Sequence, residues 1–219
     1  MSTLGYGSEI CFMPQRATTV PGFRREKTLH KKGLWPIAGI DEVGRGCLAG
    51  PVAAAAVILD PSDLPDGLND SKCLPAEIRE TLYEEILRRA HAISVAFVSA
   101  ADIDQINIRQ ASLAAMRRAL AALAVAPRYV LIDGNDLPQN LVCPGETIVK
   151  GDSLSASIAA ASIVAKVARD RLMVRLCRSH PAYGFSRHVG YATQEHLAAL
   201  AQHGPSPYHR LSFSPLRQI

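Results

Sequence analysis

No apolar run in this chain approaches the roughly 18 residues that suggest a membrane span. Strictly apolar stretches such as Val52 to Leu59 end at eight residues. The N-terminus lacks a charged start followed by an apolar core and a small-residue cleavage site, so no secretory signal is visible. Cysteines are few and scattered: Cys11, Cys47, Cys73, Cys143 and Cys177 are odd in number and include no C-x-x-C. That usage argues against a disulfide framework or a zinc knuckle, and for a reducing cytoplasm. None of the seven histidines falls in an H-E-x-x-H pattern. Internal repeats are absent as well.

With 219 residues, 48% of them hydrophobic, the chain can bury a full core, and one domain is expected. The net charge of +4 is unevenly spread. Residues 1–36 hold six Lys/Arg against two Glu, residues 37–146 nine against fifteen acids, and residues 147–219 nine against three. A basic end on a chain with an acidic middle can place a polyanion against an acidic site. Charge alone is better explained by solvated helix faces, so the asymmetry gains weight only in company. Residues 1–33 show no periodicity and carry Arg16, Arg24, Arg25, Lys27, Lys31 and Lys32, which reads as a mobile basic arm before a domain spanning 34–219.

The domain is organised around Ile37 to Leu59, where two apolar runs flank the polar knot Asp41-Glu42-Val43-Gly44-Arg45-Gly46. Short apolar runs bounded by Gly and Pro read as buried strands. A loop from Asp60 to Leu74 leads to a helix with Ile78, Leu82, Ile86 and Leu87 at helical spacing. His91 to Ser99 reads as a strand. Asp102 to Leu123 reads as a helix broken near Asn107, with Ile106, Leu113, Met116, Leu120 and Leu123 inward. Tyr129 to Ile132 is a compact strand ending at Asp133-Gly134, and a short strand, Thr147 to Lys150, ends at Gly151-Asp152. The longest helix runs from Ser155 to about Arg178, and Thr193 caps a last helix closing at Gly204-Pro205. Strands alternating with helices predict an α/β fold: a mixed sheet with helices on both faces and a C-terminal helical extension.

Three predicted strands end in acid: Asp41-Glu42, Asp133 and Asp152. In open α/β sheets, sites form at the carboxyl ends of strands. If these strands are neighbours, four carboxylates converge, and such a cluster does not stay ionised without a cation. Oxygen ligands without His or Cys point to Mg²⁺ or Mn²⁺. Taken singly, Asp133-Gly134 and Gly151-Asp152 are ordinary turn chemistry. Adjacent residues in a regular strand face opposite ways, so Asp41 is the safer ligand, with Glu42 bridging or approaching from the side. Arg45, between two glycines that leave the backbone bare, suits a phosphate or sugar contact. Asp170, four residues after Lys166, reads as half of a helix-surface ion pair.

The ordered motifs Ile40 to Gly46, Leu48-Ala49-Gly50-Pro51-Val52, Asn69-Asp70-Ser71-Lys72, Leu131 to Asn135, Lys150 to Ser153, Ala159 to Met173 and Tyr183-Gly184-Phe185 resemble the signature of bacterial ribonuclease HII. The resemblance spans about Pro36 to Phe213. It implies a ribonuclease H-like fold and an endonuclease acting on RNA–DNA hybrid duplex and on DNA containing single ribonucleotides. Cleavage would fall 5′ to the ribonucleotide, leaving a 3′-hydroxyl and a 5′-phosphate, with Mn²⁺ or Mg²⁺ as cofactor. By the same resemblance the metal-site carboxylates are Asp41, Glu42, Asp133 and Asp152. Gly44, Arg45 and Gly46 would sense the 2′-hydroxyl and phosphates, Tyr191 would stack on the sugar at the junction, and Asn69 and Lys72 would contact the DNA backbone. Two departures bear on affinity: Cys73 stands where a second Lys is common, and Val189 where Lys is frequent. Nothing demands more than a monomer. A DNA nuclease of the same fold and a non-catalytic nucleic-acid-binding protein are the alternatives, separated by 2′-hydroxyl dependence and by product formation.

Overall fold

Val52 to Leu59 contains no polar side chain and is buried along its whole length, as a strand covered on both faces requires. It is β2 (Val52–Leu59) of a five-stranded mixed sheet in the computed structural model, which describes residues 20–218. The other strands are β1 (Ile37–Val43), β3 (Ala90–Val98), β4 (Tyr129–Asp133) and β5 (Gly145–Ile148), in the spatial order β3-β2-β1-β4-β5. The first three pair antiparallel, while β4 runs parallel to β1 and β5 parallel to β4. The expected mixed sheet with helices on both faces is therefore what forms.

Alternation sorts the strand residues between two cores. Ala38, Ile40, Ala54, Ala56, Val130 and Ile132 face helix α3 (Ala100–Ala121). Ala55, Val57 and Leu59 face helix α2 (Ala76–Arg89) and the long helix α4 (Ala156–Ser179). Alanine and glycine let α4 lie close to the sheet. A Cβ built on Gly39 would sit 2.1 Å from the Ser157 carbonyl carbon and 2.4 Å from the Ile158 nitrogen, so no other residue fits there. The break expected near Asn107 is present: its φ of 64° and ψ of 162° interrupt α3. Its side-chain oxygen accepts from the Gln110 amide at 3.1 Å and restarts the helix as a cap does. Ile106, expected inward, is 39% exposed instead, because the break rotates the first turns and hands the core position to Ile103. On α2 only Leu82 and Ile86 are buried; Ile78 and Leu87 face solvent.

The N-terminal stretch differs from expectation. Residues 1–19 lie outside the described residues, but Arg24–Lys31 form helix α1 rather than a mobile arm. A buried carboxylate holds it. Glu26 Oε1 accepts from Ser155 Oγ at 2.6 Å and from the Ser157 amide at 3.0 Å, at the start of α4. An anion at a helix N-terminus is favoured there by the exposed amides and the helix dipole. The single tryptophan, Trp35, lies between the rings of His30 and His91, with centroids 6.0 Å and 4.9 Å away.

After α4 the chain turns through α5 (Phe185–His188) and α6 (Gln194–His203). Thr193 caps α6 through its hydroxyl, and Gly204 ends it at φ 70°. These elements pack a separate cluster of Leu48, Met173, Tyr183, Phe185 and Leu200 beside the loop between β1 and β2. Among the described residues no helix is long and apolar enough to cross a membrane.

Candidate active site

Register puts the first two acids together. Ile40 pairs with Ile132 across the parallel β1–β4 ladder, so the next residues, Asp41 and Asp133, are neighbours on one face. Asp152 arrives differently from expectation. β5 ends at Ile148, and Asp152 sits on a turn of 3-10 helix, Gly151–Ser153, after Lys150 in the left-handed region at φ 57°. The turn is pinned to the second acid: the Gly151 amide donates to Asp133 Oδ1 at 2.6 Å. Asp41, Asp133 and Asp152 thereby each offer a carboxylate oxygen, all within 4.8 Å of one another.

Glu42 lies beside this triad but outside its cluster of oxygens. β1 stays regular through Asp41↔Ala55 and Glu42↔Ala54, with no bulge to turn adjacent side chains to one side. Asp41 therefore faces α4, and Glu42 faces the α3 side, where Oε1 meets Arg45 Nη1 at 3.0 Å. Its other oxygen, Oε2, is buried without a hydrogen-bond partner among the described residues. Three of the four expected carboxylates thus share one cluster of oxygens, and Glu42 borders it from the other side of β1, lining one pocket with Asp133 and adding its charge to the field at Asp41.

The electrostatics match a cation site. Burial pushes the Asp41 carboxyl well above the usual range, helped by the charges of Glu42 and Asp133, while a hydrogen bond from Ser162 opposes the rise. Burial also raises Glu42, against the pull of Arg45, and raises Asp152. Carboxylates in this condition hold protons unless a cation replaces them. The donor set is all oxygen, two of the three acids are buried, and a buried carboxylate oxygen of Glu42 waits unpaired nearby. These features fit a hard divalent cation such as Mg²⁺ or Mn²⁺. Lys72 is the nearest protein cation, with Nζ 3.7 Å from Asp152 Oδ2. Partial burial works against its charge, but Asp41, Asp70, Asp152 and Asp133 together raise its pKa.

The loop carrying Asn69 and Lys72 is held over the site by local bonds and one distant one. Asn69 Oδ1 accepts from the Asp70 amide at 2.9 Å, and Asp70 Oδ1 from the Lys72 amide at 2.9 Å. Ser71 Oγ lies 2.7 Å from Ser162 Oγ on α4, the serine whose hydroxyl opposes the rise at Asp41. Ser162 escapes sequence reasoning because one serine in an alanine-rich helix carries no signal. The Lys166–Asp170 pair forms as expected, at 2.8 Å.

Tyr191 is 44% exposed and sits against Cys47, immediately after Gly44-Arg45-Gly46. Its loop is fixed by three buried histidines. His196 Nδ1 meets the Tyr191 carbonyl at 2.8 Å, so that nitrogen donates and its Nε2 accepts from His209 Nε2 at 3.0 Å. His209 Nδ1 then accepts from the Ser206 amide at 2.8 Å. His188 donates from Nε2 to the Tyr183 carbonyl at 2.8 Å and accepts the Gly190 amide on Nδ1 at 3.2 Å. Burial lowers His196, and burial with the neighbouring His196 pulls His209 down to about 4, so both of these rings are neutral at pH 7. Two buried arginines, Arg169 and Arg210, lie under the Gly44–Pro51 loop. Neither was expected from sequence, since arginine is seldom fully buried.

The family model described as "Ribonuclease HII" matches residues 38–215. The curated ribonuclease HII of Sinorhizobium medicae is 58% identical over 200 residues, which cover 91% of this chain and 92% of that protein. The ribonuclease H2 structure from Pyrococcus horikoshii superposes with a TM-score of 0.71 at 24% identity, over 83% of this chain and 95% of that one. The structure of Bst-RNase HIII in complex with Mn²⁺ superposes with a TM-score of 0.62 at 20% identity, over 86% and 70%. Both share the sheet and flanking helices described above. This chain belongs to the ribonuclease HII family, and with it to the ribonuclease H enzymes.

Proposed function

We propose that this protein hydrolyses the RNA strand of RNA–DNA hybrids and cuts 5′ to single ribonucleotides embedded in duplex DNA, leaving 3′-hydroxyl and 5′-phosphate ends. The observation that carries the reading is the meeting of Asp41, Asp133 and Asp152, from three separate segments, in a chain of this family. Mg²⁺ or Mn²⁺ ions would be held by these carboxylates together with the adjoining Glu42, and would supply Lewis-acid activation of water and stabilisation of the departing 3′-oxygen. The kinship with a fold seen in complex with Mn²⁺ supports metal use without choosing the ion.

The chain's own residues bind and orient. Arg45, exposed on the Gly44–Gly46 turn, exchanges its contact with Glu42 for a phosphate or for the ribose beside it. Requiring a 2′-hydroxyl in that contact distinguishes RNA from DNA. Tyr191 offers a half-exposed ring for stacking on the adjacent sugar. Lys72 lies close enough to Asp152 to meet the backbone next to the cut, and Asn69 extends that contact along the DNA.

The test uses four labelled duplexes: RNA–DNA hybrid, DNA with one ribonucleotide, all-DNA and all-RNA. Each is incubated with EDTA, Mg²⁺ or Mn²⁺, and the ends are mapped. Metal-dependent cuts in the first two only, 5′ to the ribonucleotide in the second, are expected. Cleavage of all-DNA duplex, or hybrid binding without any product, would overturn the reading.

A further inference from the structure

Arg169 and Arg210 are the two largest fully buried side chains of the described residues, and none of the carboxylates described forms an ion pair with either. Their hydrogen bonds run to backbone carbonyls alone. Arg169 donates to Pro51 at 2.9 Å, Val189 at 2.9 Å and Ala49 at 3.1 Å. Arg210 donates to Gly44 at 2.6 Å, Arg45 at 2.8 Å and Gly50 at 2.9 Å. Apart from Val189, these acceptors belong to one loop, which joins β1 to β2 and carries Arg45. Val189 lies two residues before Tyr191.

A buried cation without an anion is costly, and carbonyl dipoles are the remaining way to solvate it. The two guanidiniums therefore dictate which way the loop's peptide groups point. Gly44, at φ 92°, rests directly on Arg169: a Cβ there would lie 2.1 Å from Nε. With its carbonyls drawn inward, the loop keeps amides free. Those of Arg45 and Gly46 donate to no acceptor among the described residues. Burial lowers Arg210 to about 10, so it stays charged at neutral pH. Opposite polarities thus meet at this edge: acids in the triad, uncompensated positive charge under the adjoining loop.

We propose that Arg169 and Arg210 are positioning residues for substrate: from beneath the loop they fix its carbonyls inward, present its free amides and Arg45 outward, and lend it the positive potential that a nucleic-acid backbone requires. The substrate class rests on the function proposed above, whereas the control of loop geometry stands without it.

The experiment compares wild type with R169K and R210K, which keep the charge but lose the planar fork, and with R210M, which loses both. Hydrogen exchange by mass spectrometry reads the loop, steady-state kinetics on RNA–DNA hybrid reads its use, and the Mn²⁺-induced rise in melting temperature reads the triad. In the lysine variants, exchange should quicken about tenfold in peptides covering 44–51 but not in α3 or β2, and KM should rise about tenfold, with kcat and the Mn²⁺ response unchanged. R210M should raise KM further. Unchanged loop exchange and KM in R169K and R210K would overturn the proposal. So would a uniform rise in exchange with a fall in melting temperature, which marks a merely structural role. If R210M fails to fold, the lysine pair decides. Should wild type cut no hybrid, the proposed function fails, while the loop exchange still decides whether these arginines set the loop.

Discussion

Asp41→Asn removes one charge from the triad while keeping its shape, and its consequences can be worked from the geometry. The three ligand oxygens lie within 4.8 Å of one another. Two unit charges at that separation repel by about 3.5 kcal/mol at an effective dielectric near 20. The folded protein relieves part of this by holding protons, since Asp41 and Asp152 are both raised. The folded state then binds more protons than the unfolded chain, and without metal stability falls as pH rises from about 4 through the raised values. At pH 7.5 in EDTA, D41N should be more stable than wild type by about 1 to 3 kcal/mol, or about 2 to 4 °C in melting temperature for each kcal/mol. Asparagine retains an oxygen to accept the Glu42 amide, which Asp41 Oδ1 accepts at 2.7 Å, so the backbone is undisturbed. Added Mn²⁺ should raise the melting temperature of wild type but not of D41N, and cleavage by D41N should fall by about a thousandfold. Thermal melts with EDTA and with Mn²⁺, beside a cleavage assay, read all three. A D41N protein that is less stable without metal, or that keeps the Mn²⁺ response, would refute the reasoning.

Two further outcomes follow from packing and from the histidine chain. Gly39→Ala drives a methyl into the backbone of Ser157 and Ile158, and should cost about 3 kcal/mol in urea denaturation by forcing α4 away from β1. His209 has its folded pKa lowered to about 4, so the unfolded chain binds more protons between there and about 6.5. Its contribution is complete above about pH 6.5 and is lost as pH falls toward 4, up to about 3 kcal/mol. Denaturation at pH 7.5 and pH 5 should show that slope in wild type and a flatter one in H209N.

Much of the framework is legible in the residues. Apolar runs bounded by Gly and Pro give β1, β2 and β4, and the caps Ser155 and Thr193 mark the helices they precede. Strand-end acids give two members of the triad, because parallel register on β1 and β4 brings Asp41 beside Asp133, whereas Asp152 comes from the 3-10 turn beyond β5. What is not legible depends on contacts distant in sequence. Helix α1 is polar on most of its surface and is fixed by Glu26 reaching serines about 130 positions later. Arg169 and Arg210 look like surface charges until the fold supplies carbonyls for them. Glu42 could be assigned to a face only once β1 proved regular, since a bulge would have turned it toward Asp41. The inward set of α3 shifted because a break at Asn107 resets the helical phase.

The lone indole has a practical use. Trp35 stands two residues before β1, at the opposite end of that strand from Asp41, its ring beside imidazoles on α1 and β3. Its emission is therefore an optical gauge of whether the N-terminal helix and the base of the sheet remain joined, blind to events among the acids. Loading Mn²⁺ should leave the spectrum unaltered at 25 °C, while parting α1 from the sheet should expose the indole and shift its emission to the red.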